Sequence, residues 1–319
     1  IAPAAVNWPC VPNSKSAFVP TASRIAAQKA ADRSRIESDP SSLLDESMRS
    51  ILYPNHPYGR PIIGWKHEIM ELNYDDVKSF YKTHYEPRNA ILVISGNINL
   101  KKVKEIVKKN FSKIKNINKS KFKETLDPDL NSQVFVEKKH PTVKQDIWKK
   151  LYRADSYNKS IKRGIALDLG MKIIAGGTSS LLYDEFVNKK KIFSMIGGFY
   201  QGLSRGEGYI YFYAIPNEKI EPKKIDNLIM KQIKILVKNE LSLKRLETEK
   251  KKYFYDSIYR MDGILKPSEI YGEALTVGLT LSEVENWNKN LDDITIELVK
   301  EEMLKFIENK NYVIGSLQN

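Results

Sequence analysis

Apolar positions recur at helical spacing through much of the chain and outline its elements. Leu43, Leu44, Met48, Ile51 and Leu52 share one face, and Asp39-Pro40 before them supplies a capping carboxylate and a proline for the first helical position. Asn73, with Asp76 three residues on, opens a helix whose inward face is Val77, Phe80 and Tyr81, extending to Tyr85. Residues 90–95 predict a buried strand, and Val103, Ile106, Val107 and Phe111 form another helical face. The stretch 113–131 is polar, lysine-rich and proline-containing, as in a linker. From Ser132 onward, strands are predicted at 134–137 and 147–152, then a helix over 161–175 halted at Gly176-Gly177, and a helix over 180–187. Strands at 192–200 and 209–215 follow, then helices at 222–239, 242–260, 267–278, 282–290 and 295–308, and a last strand reaching Gly315. Strands grouped ahead of helices within one unit indicate an α+β fold.

Part of this pattern occurs twice. A helix feeding a short apolar strand that ends at glycine occurs before Gly96 and again before Gly315, a period of about 220 residues that implies a duplicated domain. By that ruler the first copy is incomplete, about 120 residues short ahead of its marker.

Composition narrows the class. The 319 residues suffice for two domains, and 41% hydrophobic with 29% charged residues exclude global disorder. No 18-residue window is free of charge, so no membrane span is predicted. Cys10 is alone, which excludes an internal disulfide and any multi-cysteine zinc site. The net charge of +13 comes from lysines interleaved with Glu and Asp on helical patterns, a solvated surface rather than a nucleic-acid stripe. Residues 1–31 are rich in Ala, Pro and Ser and carry no acidic residue, which marks them as an atypical terminus.

Chemistry-bearing motifs are few. His67-Glu68 resembles the start of a zinc-binding HExxH helix, but the second histidine is missing, which leaves a surface pair. His56 is a loop-packing residue, His84 sits toward a helix end, and His140 precedes a proline. The run from Arg205 to Phe212 resembles an RNA-recognition strand, with Tyr209, Tyr211 and Tyr213 on one face for base stacking. Glu207 occupies the position of a stacking aromatic, so the alternative is a sheet strand whose tyrosine face is covered by helices. No Ser-His-Asp arrangement occurs, and Cys10 has no nearby histidine.

Taken in order, the stretches 35–40, 55–65, 85–96, 176–192 and 272–279 resemble the pitrilysin/insulinase-type zinc metallopeptidases, over roughly residues 32–319. The resemblance implies duplicated α+β domains, each an antiparallel-rich mixed sheet flanked by helices, with the first copy incomplete. It divides the chain into an atypical terminus (1–31), the C-terminal part of a first domain (32–118), a linker (119–131) and a second domain (132–319). In that family zinc is held by an HxxEH motif and a distant Glu, and the motif lies outside this sequence. The third ligand, nine residues before Pro40, falls on Ala31, which has no donor atom. Asp32 is adjacent, but one helical residue turns it by about 100°. An Arg–Tyr pair that contacts substrate in the second domain is replaced by Asn188 and Ser194. The expectation is therefore a portion of a zinc endopeptidase that contributes chamber wall and substrate-side surface. No catalytic or metal-ligating residue is assigned and no zinc is held by this chain itself. The implied partners are an extended peptide and a homologous peptidase subunit, without nucleic acid, and the implied location is periplasmic. The alternatives are a non-catalytic partner subunit of a heterodimeric peptidase and, more remotely, a single-stranded RNA-binding protein.

Overall fold

The computed structural model describes residues 31, 33–114 and 125–319; all of the atypical terminus (1–31) but its last residue, and the first half of the linker (119–124), lie outside the described residues. A helical stretch ends at residue 37, and α1 (Pro40–Leu52) follows, then a 3-10 turn (Pro57–Gly59), α2 (Lys66–Glu71), α3 (Tyr74–His84) and α4 (Leu100–Phe111). The second unit holds β1 (Val134–Lys139), β2 (Ile147–Ala154), α5 (Ile161–Ala175), and a helical turn α6 (Leu181–Tyr183) that widens into a π-helix (Asp184–Lys189). Then come β3 (Phe193–Gln201), β4 (Gly208–Pro216), α7 (Pro222–Asn239), α8 (Leu243–Arg260), α9 (Lys266–Val277), α10 (Leu281–Glu285), α11 (Trp287–Asp292), α12 (Ile296–Glu308) and β5 (Tyr312–Gln318). The expected helix at 282–290 is thus two short helices that meet at Asn286.

The five strands form one mixed sheet in the order β1-β5-β2-β4-β3, parallel only between β1 and β5. Trp148, Tyr152, Ile210, Phe212 and Ala214 point to one face and are fully buried under helices. Helix α5 is apolar around nearly its whole circumference because it lies between that sheet and α12. At Gly170 the two helices approach closely: a Cβ there would stand 2.6 Å from Met303 Sδ.

The opposite face is only partly covered. Asp39 accepts the Ser41 and Ser42 amides, Pro40 starts the helix, and α1 then lies across β1, β5 and β2. Its Leu44, Met48 and Leu52 are wholly buried with Leu151, Val313 and Leu317, each such side chain contributing about 2 kcal/mol relative to exposure. Gly315 makes the approach possible, since a Cβ there would lie 2.3 Å from Met48 Sδ. A helix that belongs to the first unit by sequence therefore completes the core of the second.

Three expectations for the first unit are corrected. Residues 90–95 are extended but form no strand, and Ile91, Leu92 and Ile94 are 50%, 56% and 42% exposed. Phe80, Tyr81 and Tyr85 are exposed rather than inward-facing, and neither α3 nor α4 buries a residue. The physical cause is common to all three. A strand with apolar side chains on both faces needs neighbours on both edges and a layer on both sides, and no partner strand pairs with 90–95 among the described residues. Its counterpart β5, held between β1 and β2, is buried along its length.

Candidate functional site

Among the described residues, the part of the sheet left uncovered lies over β4 and β3. Strand alternation sends Tyr209, Tyr211 and Tyr213 to the face opposite Ile210, Phe212 and Ala214, and each tyrosine is half-buried. Their neighbours on β3 are Phe199, opposite Tyr211, and Gly197, opposite Tyr213, with Met195 beyond. Phe199 packs 5.3 Å from Tyr211 and 6.0 Å from Tyr209, and remains 44% exposed, as does Met195 at 46%. Gly197 leaves room for Tyr213, whose hydroxyl would be 2.7 Å from a Cβ at that position. Among the described residues no layer of helices covers the whole tyrosine row: α5 and α12 occupy the other face, and α1 reaches Tyr209 and Tyr211 but not Tyr213.

Helix α1 forms the wall of this groove. Arg49 donates to the Tyr209 hydroxyl at 3.0 Å with its guanidinium 5.0 Å above the same ring. Lys149, nearly buried, is matched by Asp45 at 2.8 Å and donates to Ser41 Oγ at 2.7 Å. Burial, and next the Asp45 carboxylate, push the Tyr211 hydroxyl up, so it remains a neutral donor at physiological pH. On β2 opposite Tyr209, at the same end as Arg49, Arg153 is enclosed by Asp127, Asp129 and Glu207 at 3.6–3.9 Å and donates to the Pro128 carbonyl at 2.7 Å. Burial holds the Glu207 carboxyl above the ordinary range against the pull of Arg153. The floor is thus aromatic and the rim charged, with a free edge at β3. Such a surface can seat an extended chain on its face or pair with one along the edge.

The histidines stand apart from this groove. His56 is buried and accepts the Tyr58 amide through Nδ1, which makes it a loop-packing residue. His67 lies on the surface, and its neighbour Glu68 is 3.6 Å from Arg60. His84 packs on Phe80, and His140 meets Thr142 at 2.8 Å. Asn188 donates to Asp184, and Ser194 to the Ile215 carbonyl, so neither offers the cation or phenol of the Arg–Tyr pair.

A zinc centre does not fit the residues present. Ala31 is exposed in the helical stretch and has no donor, while Asp32 lies outside the described residues. The nearby carboxylates are engaged: Glu46 by Arg33 at 2.7 Å, and Glu37 by Lys66 and Arg33. Among the described residues no three His, Cys, Asp or Glu side chains are grouped to hold a metal ion. A second cavity, of about 310 Å³ between α5 and α12, is lined by Asp155, Lys159, Arg163, Tyr200, Glu302 and Lys305. Its charges satisfy one another, with Asp155 bridging Lys159 and Lys305 and Arg163 meeting Glu301 and Glu302.

Sequence reasoning missed Arg49, Asp45 and Lys149. Charged residues inside the apolar pattern of β2 were the available signal, since Lys149, Lys150 and Arg153 in a central strand require buried partners.

Known proteins share this fold. The peptidase M16 inactive domain matches residues 71–253, more than half of the chain. The zinc protease PqqE of Helicobacter pylori is 26% identical over 235 residues, 72% of this chain and 51% of that protein. The chain therefore spans about half the length of that curated relative. The crystal structure of a protease from Helicobacter pylori superposes with a TM-score of 0.82 at 22% identity, over 93% of this chain and 71% of the other. A peptidase M16 inactive domain from Pseudomonas fluorescens gives a TM-score of 0.79 at 18% identity, over 93% and 69%. These likenesses show the fold, and no described helix is long and apolar enough to cross a membrane. The match over residues 71–253 carries the assignment: this chain belongs to the family of the peptidase M16 inactive domain, within the pitrilysin/insulinase-type zinc metallopeptidases.

Proposed function

We propose that this chain is the substrate-facing, non-catalytic portion of an M16-type zinc endopeptidase. In that role the second unit forms chamber wall and holds an extended peptide, while a zinc centre outside the described residues performs hydrolysis. The supporting observation is the aromatic face of β4 and β3, which among the described residues is left open, with Phe199 and Met195 exposed beside an unpaired strand edge. Backbone pairing along such an edge gives affinity with little sequence preference, and the aromatic floor adds contact area. A homologous peptidase subunit is the natural source of the zinc ligands, and the periplasm is the compartment the resemblance suggests.

The test is direct. The purified chain, mixed with a fluorescent unstructured peptide, is expected to bind it without cleaving it, with or without chelator. Chelator-sensitive hydrolysis by this chain alone would overturn the proposal, and so would the absence of any peptide binding.

A further inference from the structure

This inference rests on the proposed role of the groove and concerns which peptides it selects. Its charges are not symmetric. Lys149 is neutralised by Asp45, and Arg153 is surrounded by Asp127, Asp129 and Glu207. Among the described residues Arg49 meets no carboxylate; its guanidinium rests on Tyr209 and donates to that hydroxyl. A guanidinium has five N–H donors in a planar fork suited to carboxylate oxygens, so most of its capacity is unused. Met195 and Phe199 present apolar surface alongside, 46% and 44% exposed.

We propose that the groove selects extended peptide segments with bulky apolar side chains at alternate positions and an acidic residue among them, its carboxylate paired with Arg49. An extended chain repeats its side chains on one face every ~7 Å, the same step that separates Tyr209, Tyr211 and Tyr213 on β4. A peptide lying along that row sets apolar residues on Phe199, Tyr211 and Met195 and brings the residue above Tyr209 within reach of Arg49. The net charge of +13 works in the same direction, since it attracts acidic segments at long range and disfavours basic ones.

Three labelled peptides, alike except for Glu, Gln or Lys at one central position between alternating Leu and Phe, test this by fluorescence anisotropy with the full chain. The Glu peptide is expected to bind about tenfold more tightly than the Gln peptide, as for one charge-assisted hydrogen-bonded pair, and the Lys peptide more weakly still. On the Arg49→Gln chain the Glu and Gln peptides should bind equally, whatever the change in the affinity they share. Arg49→Lys should keep part of the preference. The comparison of peptides on the unmodified chain stands even if a variant misfolds, and its Glu preference should shrink as salt is added. Equal binding of the three peptides, or a Glu preference that survives Arg49→Gln, overturns acidic selection while leaving the peptide-holding role intact. Failure of all three to bind overturns the proposed role itself.

Discussion

Asp155 shows how a single carboxylate is tuned by opposing effects. Burial raises its pKa, but the Lys159 and Lys305 ammoniums, which donate to it at 2.7 and 3.0 Å, outweigh that and hold it below the usual aspartate range. A carboxyl with a lower pKa folded than unfolded binds fewer protons in the folded state between the two values. Its stabilisation is therefore complete above the unfolded value and is lost as pH falls through the folded one. Asp155→Asn should cost less than about 1 kcal/mol at neutral pH, because both lysines are well exposed and water screens the pairs. That difference should vanish at the acid end, as read by urea titration at the two pH values; a loss that persists in acid would assign it to packing instead. The Lys305 partner was not legible in the sequence, where it stands 150 positions from Asp155 and no periodicity links them. The cap at Asp39 and the capping box at Asn73–Asp76 were legible, because those interactions are local.

At the level of elements, the contrast between β5 and residues 90–95 is the most informative. Both carry consecutive apolar residues, and both were expected to be strands from that alone. Only β5 has β1 and β2 beside it, and pattern cannot report whether partners are present. The same holds for α3 and α12. The latter buries Val299, Met303 and Phe306, while α3, with a comparable stripe, buries nothing. Helix propensity forms α3, and tertiary packing, which supplies most helical stability, is missing for it. Amides 91–95 should accordingly exchange with solvent within the fastest class, and amides 313–317 with the slowest, in hydrogen-exchange experiments on the intact chain. Comparable protection of the two segments would mean that 90–95 finds strand partners in solution. The open groove over β4 was the other feature hidden from sequence. Alternation placed the three tyrosines on one face, but nothing local fixes which face the helices cover.

For the molecule as a whole, exposed apolar residues cluster over 254–265 and, more extensively, on the first unit. Phe80, Tyr81, Ile91, Leu92, Ile94, Ile106 and Phe111 are exposed on the first unit, beyond the scattered apolar exposure usual for a monomer. Isolated chain should therefore self-associate as concentration rises, measurable by sedimentation velocity. Replacing Ile91, Leu92 and Ile94 together with Thr should shift the distribution toward monomer with a smaller fall in melting temperature than the same change in a buried core would give, since each is about half-exposed. A monomer at all concentrations would show that this surface is closed in some other way. The duplicated plan and the family were readable from order and spacing across the chain.

Helix α1 has a consequence for how the chain comes apart. It lies ahead of the linker in sequence, yet Leu44, Met48 and Leu52 are built into the core with β5 and β2. Cutting the backbone between α4 and β1 would sever the only covalent link between the two units without releasing either, because separation would first require those three side chains to leave the sheet. A nicked chain would thus travel as one particle under native conditions and fall into two pieces only in denaturant. The boundary drawn along the chain and the boundary of cooperative unfolding would then not coincide.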